Sequence, residues 1–177
     1  MYLDNKGSVL VFTLIIFSII SMLTMMCIGL NYSNEMVFRL EYKETRLIEN
    51  SLGGIEILSS NVLKKVDSNF TNSNNEDEFD SYFLGNNFED SVSDISGIEI
   101  SSLKVNVAKE TPFYVDGAYN FKITSSASEG KYSKKYQAKV KINNPFLDYK
   151  EEEIELENFK NNIKVSDLVK VYNYKEN

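Results

Sequence analysis

An uncharged, apolar run near the start of the chain limits its possible folds more than any other feature. After Lys6 and Gly7, no charged residue occurs before Glu35. At about 1.5 Å of rise per residue, residues 9–30 form a helix long enough to cross a hydrocarbon core of about 30 Å. The sequence therefore predicts a transmembrane segment, to which we assign residues 8–34.

Apolar residues continue at helical spacing beyond this run. They are Val37, Leu40, Leu47, Ile48, Leu52, Ile55, Leu58, Val62, Leu63 and Val66. Charged residues such as Arg46 and Glu49 occupy much of the remaining helix surface. We expect residues 8–66 to form one long helix. Its amphipathic half, residues 35–66, needs a sheet to cover the apolar stripe.

The flanking charges indicate the orientation of the membrane segment. A secretory signal peptide would have a shorter apolar core and an A-x-A-like cleavage site, which this run lacks. Lys6 and the N-terminal amine precede the run, Asp4 offsets part of their charge, and Glu35 follows it. The positive-inside tendency then favours a single-pass protein with a cytoplasmic N-terminus and its remaining domain outside the membrane.

The short polar leader that ends in Lys6-Gly7, directly before the apolar run, resembles the type III signal sequence of the type IV pilin and pseudopilin family. The resemblance implies that a prepilin peptidase removes residues 1–7 by cutting after Gly7 and methylates the new N-terminus at Ser8. It also implies an α+β, pilin-like fold. In that fold the long N-terminal helix packs on an antiparallel sheet of three to five strands.

Phe12 departs from the family pattern. It stands at the fifth mature position, where shaft-building pilins usually carry a Glu that meets the N-terminal amine of a neighbouring subunit. The resemblance therefore implies a minor, tip-located or assembly-initiating pilin. Its implied partners are other pilins, the prepilin peptidase, the inner-membrane assembly platform and, before assembly, membrane lipid. Its implied location is the cell membrane and then the tip of an extracellular pilus.

Two alternatives remain open on the sequence. One is a competence or type II secretion-like pseudopilin, which differs from a pilus subunit only in its partners. The other is a membrane-anchored extracellular surface or sensor domain that never enters a filament. The second alternative predicts an intact Met1 and no dependence on Gly7.

Residues 67–177 predict a single β-rich head. The polar stretch 68–94 is typical of a loop and would be the αβ-loop of a pilin head. Strand patterns begin at Ile98, with a bulge or bend near residues 101–102, and recur over residues 119–125 and 132–142, with a turn at 127–130. Residues 148–157 favour an extended or irregular segment. At the end, Val169 and Val171 predict a final strand, while Ser166-Asp167 equally fits a short helix.

Two details of packing also follow from the pattern. Gly53-Gly54 interrupts a helix at a cost of about 1 kcal/mol per glycine relative to alanine, which favours close approach of a strand over a hinge. On the third strand, Lys135, Lys139 and Lys141 alternate with apolar residues. We interpret these lysines as the solvated side of the sheet rather than a binding patch.

The residue inventory argues against an enzyme. The chain has no histidine, and its one cysteine, Cys27, lies in the apolar run. No nucleophile, phosphate-loop or dinucleotide motif occurs. We predict no catalytic residue, no cofactor and no metal site. The acidic residues within 74–80 are interpreted as a solvated loop, because their spacing differs from that of a calcium loop. A net charge of -7 gives no support to direct nucleic-acid binding.

Overall fold

The computed structural model describes residues 4–97, 100, 102–149 and 155–176. Its α-helices are α1 (Asp4–Asn72), α2 (Glu76–Leu84), α3 (Asn87–Ser93), α4 (Leu156–Asn162) and α5 (Val165–Leu168), and a 3-10 helix spans Pro145–Asp148. The strands are β1 (Leu103–Val115), β2 (Ala118–Glu129), β3 (Tyr132–Asn143) and β4 (Val169–Glu176). The chain divides into two compact units, Met1–Glu44 and Thr45–Asn177. The predicted α+β class, with a long N-terminal helix and an antiparallel sheet, is confirmed.

Helix α1 follows the predicted periodicity in the second unit. Leu47, Ile55, Leu58, Val62 and Val66 are all at most 2% exposed. Leu52 and Leu63, which the sequence also placed in this stripe, are each 38% exposed and lie at its margin. The helix continues past residue 66 to Asn72, because Phe70 belongs to the same buried stripe.

The four strands form one antiparallel sheet in the order β1-β2-β3-β4. In β2, Tyr119, Phe121 and Ile123 face the core as predicted, and they pair with Ile142, Val140 and Ala138 of β3. The predicted strand start at Ile98 lies outside the described residues, and β1 begins at Leu103. Of the predicted bend at residues 101–102, residue 101 also lies outside the described residues. Within β1, the pairing with β2 shifts in register between Lys109 and Tyr114.

The stretch predicted as a loop, residues 68–94, instead contains the end of α1 and the helices α2 and α3. Asn75 caps α2, because its Oδ1 accepts a hydrogen bond from the Glu78 backbone N–H at 2.9 Å. Phe79 and Phe83 are buried one turn apart in α2, as Phe88 and Val92 are in α3. These apolar pairs at i,i+4 spacing drive the two short helices onto the core despite their polar composition.

The C-terminal region combines several short elements. Pro145 ends β3, and the Asn144 Oδ1 accepts a hydrogen bond from the Phe146 backbone N–H at 2.9 Å. The sequence predicts an extended or irregular segment at residues 148–157. Residues 150–154 of this segment lie outside the described residues, and its last two residues begin α4. The short helix at Ser166-Asp167 and the final strand from Val169 both occur, one directly after the other.

Candidate functional site

The candidate site is the N-terminal part of α1, which contains Gly7, Ser8 and Phe12. The helix begins at Asp4, so Gly7 and Ser8 lie near its start. Ser8 and Phe12 are one turn apart and share a helix face. A Cβ added to Gly7 would meet no atom within 4 Å. Packing within this protein therefore gives no reason for glycine at position 7, where it costs helix stability.

The apolar run is exposed throughout. Phe12 is 65% exposed, and the least exposed large apolar residue between Val9 and Leu30 is Ile16, at 41%. Within the described residues, α1 is the one helix long and apolar enough to cross a membrane. Apolar surface of this extent is unfavourable in water and is the surface expected of a helix that contacts lipid or other apolar helices.

Three hydroxyl groups within the run are satisfied inside the helix. Thr13 Oγ1 donates to the Leu10 carbonyl, Ser18 Oγ to the Leu14 carbonyl and Thr24 Oγ1 to the Ile20 carbonyl, each at 2.9 Å. Transfer of a hydroxyl group without a hydrogen-bond partner from water into hydrocarbon costs about 4–8 kcal/mol. These three bonds make Thr13, Ser18 and Thr24 compatible with an apolar surrounding.

The first charged groups after the run neutralise each other. Arg39 Nη2 lies 2.7 Å from Glu35 Oε1, and both side chains are more than half exposed. The aromatic rings of Tyr32, Phe38 and Tyr42 are also exposed on this part of the helix. Exposed tyrosines beside the end of an apolar span are typical of a membrane–water interface.

The part of α1 in the second unit is fixed to the sheet by small residues. Ser51 Oγ is 2.8 Å from the Leu47 carbonyl and 2.9 Å from the Lys134 carbonyl, and it accepts a hydrogen bond from the Ala127 N–H at 3.1 Å. A Cβ on Gly54 would lie 2.1 Å from Ser125 Oγ, whereas one on Gly53 would meet nothing within 4 Å. The close approach predicted for this glycine pair is confirmed at Gly54.

One titratable group with a clear pKa shift, Tyr119, belongs to a polar network inside the domain. Burial raises the pKa of Tyr119, and its hydrogen bond with the Asp80 side chain raises it further. Asp80 also accepts a hydrogen bond from Asn144 Nδ2 at 2.6 Å. This buried polar network ties α2 to β2 and to the turn after β3.

The acidic stretch at residues 74–80 is the start of α2 rather than a loop. Glu78 Oε2 accepts hydrogen bonds from the Asn74 backbone N–H at 2.7 Å and from Asn74 Nδ2 at 3.2 Å. Glu76 and Asp77 lie in the first turn, where carboxylates favourably oppose the helix dipole. Over the described ranges, no three metal-ligating side chains converge on one point.

Sequence reasoning found only part of one polar surface, the lysines of the third strand. The structure adds lysines from β1, β2 and β4 to the same side of the sheet. The alternation of lysines with apolar residues was visible in each strand, but their convergence depends on a register that one strand alone does not specify.

No family model matches the sequence, and no curated protein or solved structure is significantly similar to it.

Proposed function

We propose that this chain is a minor pilin or pseudopilin, which a prepilin peptidase processes after Gly7 and which then initiates or caps a type IV filament. One observation carries the proposal: a single helix, α1, joins a wholly exposed apolar half to a second half that forms the core of an α+β domain. A subunit that moves from lipid into a filament needs both halves. The Lys6-Gly7 leader adds a place for processing.

The mechanism of such a subunit is assembly rather than catalysis. In the membrane, the exposed run from Val9 to Leu30 contacts lipid, and in a filament it contacts the apolar helices of neighbours. Apolar burial at about 25 cal/mol per Å² changes little on this transfer, because both environments exclude water. Packing and polar contacts then decide whether assembly proceeds. The hydroxyls of Thr13, Ser18 and Thr24 are bonded within the helix and do not need a partner on a neighbouring subunit.

The side chain at position 12 favours an end position in the filament. In the family, a Glu at this place would pair with the N-terminal amine of the neighbouring subunit inside an apolar filament. Phe12 is uncharged and 65% exposed, so it cannot supply that carboxylate. A subunit that does not pair in this way is suited to begin or cap a filament.

The proposal is tested by expressing the full chain with and without a prepilin peptidase and measuring its intact mass and N-terminal sequence. We expect a methylated N-terminus at Ser8 with the peptidase, and none in a Gly7→Val variant. Gly29→Val is the matched control, because a Cβ at Gly29 also meets nothing within 4 Å and the residue lies in the same exposed run. This control should be processed like the unaltered chain.

A Met1 form that persists in the presence of an active peptidase would overturn the proposal. The same exposed helix would then anchor an extracellular surface or sensor domain. If processing occurs, co-purification with components of a pilus, a competence filament or a type II secretion system distinguishes the pilus subunit from the pseudopilin.

A further inference from the structure

One side of the sheet forms a continuous basic surface on an acidic protein. The pairing of the strands places seven lysines on the side opposite α1, α2 and α3, and we call this the basic face: Lys104, Lys122, Lys135, Lys139, Lys141, Lys170 and Lys175. Most of them are exposed. The intervening positions carry small or polar side chains such as Asn106, Thr124 and Gln137.

The basic face contains like charges in direct opposition. Lys122 pairs with Lys139 across β2 and β3, and Lys141 pairs with Lys170 across β3 and β4. Directly opposed like charges destabilise a sheet. At the described strand positions of this face, Glu110 is the one carboxylate, and its Oε1 lies 2.5 Å from Lys139 Nζ. The face therefore has an excess of positive charge that the fold itself does not neutralise.

Helices α2 and α3, on the other side of the same unit, carry the opposite charge. Between Lys65 and Lys104 the sequence has no lysine or arginine. Five exposed carboxylates lie on α2, on α3 or at the end of α3, and we call them the acidic layer: Glu76, Asp77, Glu78, Asp90 and Asp94. Because α2 and α3 pack on the inner face of the sheet through Phe83 and Phe88, the acidic layer and the basic face lie on opposite sides of the domain.

We propose that the basic face of one copy docks on the acidic layer of a second copy of this chain. Both complementary surfaces are present on every copy, and they point in opposite directions, so the contact is heterologous. A second copy supplies carboxylates for the opposed lysine pairs.

The contact is electrostatic and weak for free molecules. Exposed ion pairs contribute little each, and they are screened at high ionic strength. Copies that are anchored side by side through α1 meet at a high effective concentration, and a weak contact then suffices. The docking does not require cleavage at Gly7, so it stands or fails independently of the proposed function.

The test is energy transfer between full-length copies that carry a donor or an acceptor dye at the C-terminus, in vesicles of zwitterionic phosphatidylcholine. One variant reverses the basic face with Lys104→Glu, Lys122→Glu and Lys135→Glu. A second variant reverses the acidic layer with Glu76→Lys, Asp77→Lys and Asp90→Lys. A charge-matched control, Lys64→Glu with Lys131→Glu and Lys164→Glu, makes the same change in net charge away from the basic face.

We expect energy transfer in about 20 mM salt that falls several-fold in about 0.5 M salt. Each reversed variant alone should lose the transfer, whereas a mixture of the two reversed variants should recover it. The charge-matched control should retain it. Circular dichroism shows whether each variant keeps its folded helix and strand signal before the comparison is made.

Two results would overturn the proposal. The first is unchanged energy transfer in the variant with a reversed basic face. The second is a mixture of folded variants that recovers no transfer. If binding to anionic phosphatidylglycerol vesicles is lost in the basic-face variant instead, the face is assigned to a lipid surface rather than to a second copy.

Discussion

The Ser125 side chain occupies the position that any side chain at Gly54 would need: a Cβ built on Gly54 lies 2.1 Å from Ser125 Oγ and 2.9 Å from Ser125 Cβ. Helix and strand therefore meet here with no room for a side chain at position 54. The same pair of elements is joined by Ser51, which bonds to the backbone of β2 and β3.

Gly54→Ala is therefore expected to lower the free energy of unfolding by about 1–3 kcal/mol, because the added methyl group overpacks the junction. Gly53→Ala is the matched control, since its Cβ meets nothing and alanine favours a helix by up to about 1 kcal/mol. Urea unfolding of the full chain in detergent, followed by circular dichroism, measures both. Equal effects at the two positions would contradict the observed geometry.

Ser51→Ala is expected to lower the free energy of unfolding by about 1–3 kcal/mol, because the Ala127 N–H loses a buried hydrogen-bond acceptor. Ser59→Ala removes only a bond to the Ile55 carbonyl of the same helix, at 2.8 Å, and should change stability by less than about 0.5 kcal/mol. The same urea titration compares the two variants. A Ser51 variant as stable as the Ser59 variant would show that the contact with the sheet is dispensable.

The attachment of β4 is expected to weaken in acid. The hydrogen bonds that Lys134 and Tyr136 donate to Glu176, at 2.8 and 3.0 Å, hold the pKa of Glu176 below its ordinary value of 4.5. A carboxyl with a lowered folded-state pKa stabilises the fold above its unfolded-state pKa, and this stabilisation is lost as the pH falls through the lowered value.

The measurement is the thermal unfolding midpoint of the unaltered chain and of Glu176→Gln between about pH 7 and pH 3. The unaltered chain should have a higher unfolding midpoint than Glu176→Gln near neutral pH, and this difference should disappear in acid. Glu56→Gln, at an exposed position of α1, serves as the control and should show no such difference. A constant gap across the range would assign the effect of Glu176 to something other than its charge.

The proposed end position in a filament makes a prediction about Phe12. Phe12→Glu restores the carboxylate that shaft subunits of the pilin family carry at the fifth mature position, so the variant should spread along the filament. Phe17→Glu places the same charge in the same exposed run, where Phe17 is 70% exposed, but at the wrong position. Immunogold labelling of filaments locates both. Labelling of the unaltered protein uniformly along the shaft would contradict the end position.

How far the fold could be predicted depends on whether its determinants are local. The charge-free run and the spacing from Leu47 to Val66 are local patterns, and α1 follows from them directly. The helices α2 and α3 were missed because their many Asn, Asp and Glu residues are typical of loops. The i,i+4 pair Phe79 and Phe83 and the Asn75 cap were present in the sequence and would have indicated a helix.

The N-terminal site and the basic face also differ in whether local sequence is enough to predict them. Gly7, Ser8 and Phe12 are close in sequence, so a motif alone brings them to attention. The basic face depends on how four strands align, because a shift of one residue in β3 would carry Lys139 to the core side. The opposed pair Lys122 and Lys139 is visible only once the register is known.

Ser51 and Gly54 stand about one turn apart on α1, and both engage the hairpin of β2 and β3. The two contacts therefore act on one short segment of α1 rather than at separate places along the helix. The attachment of the helix to the hairpin thus relies on one hydroxyl group and on the absence of a side chain at Gly54, with no covalent cross-link in the described part of the chain.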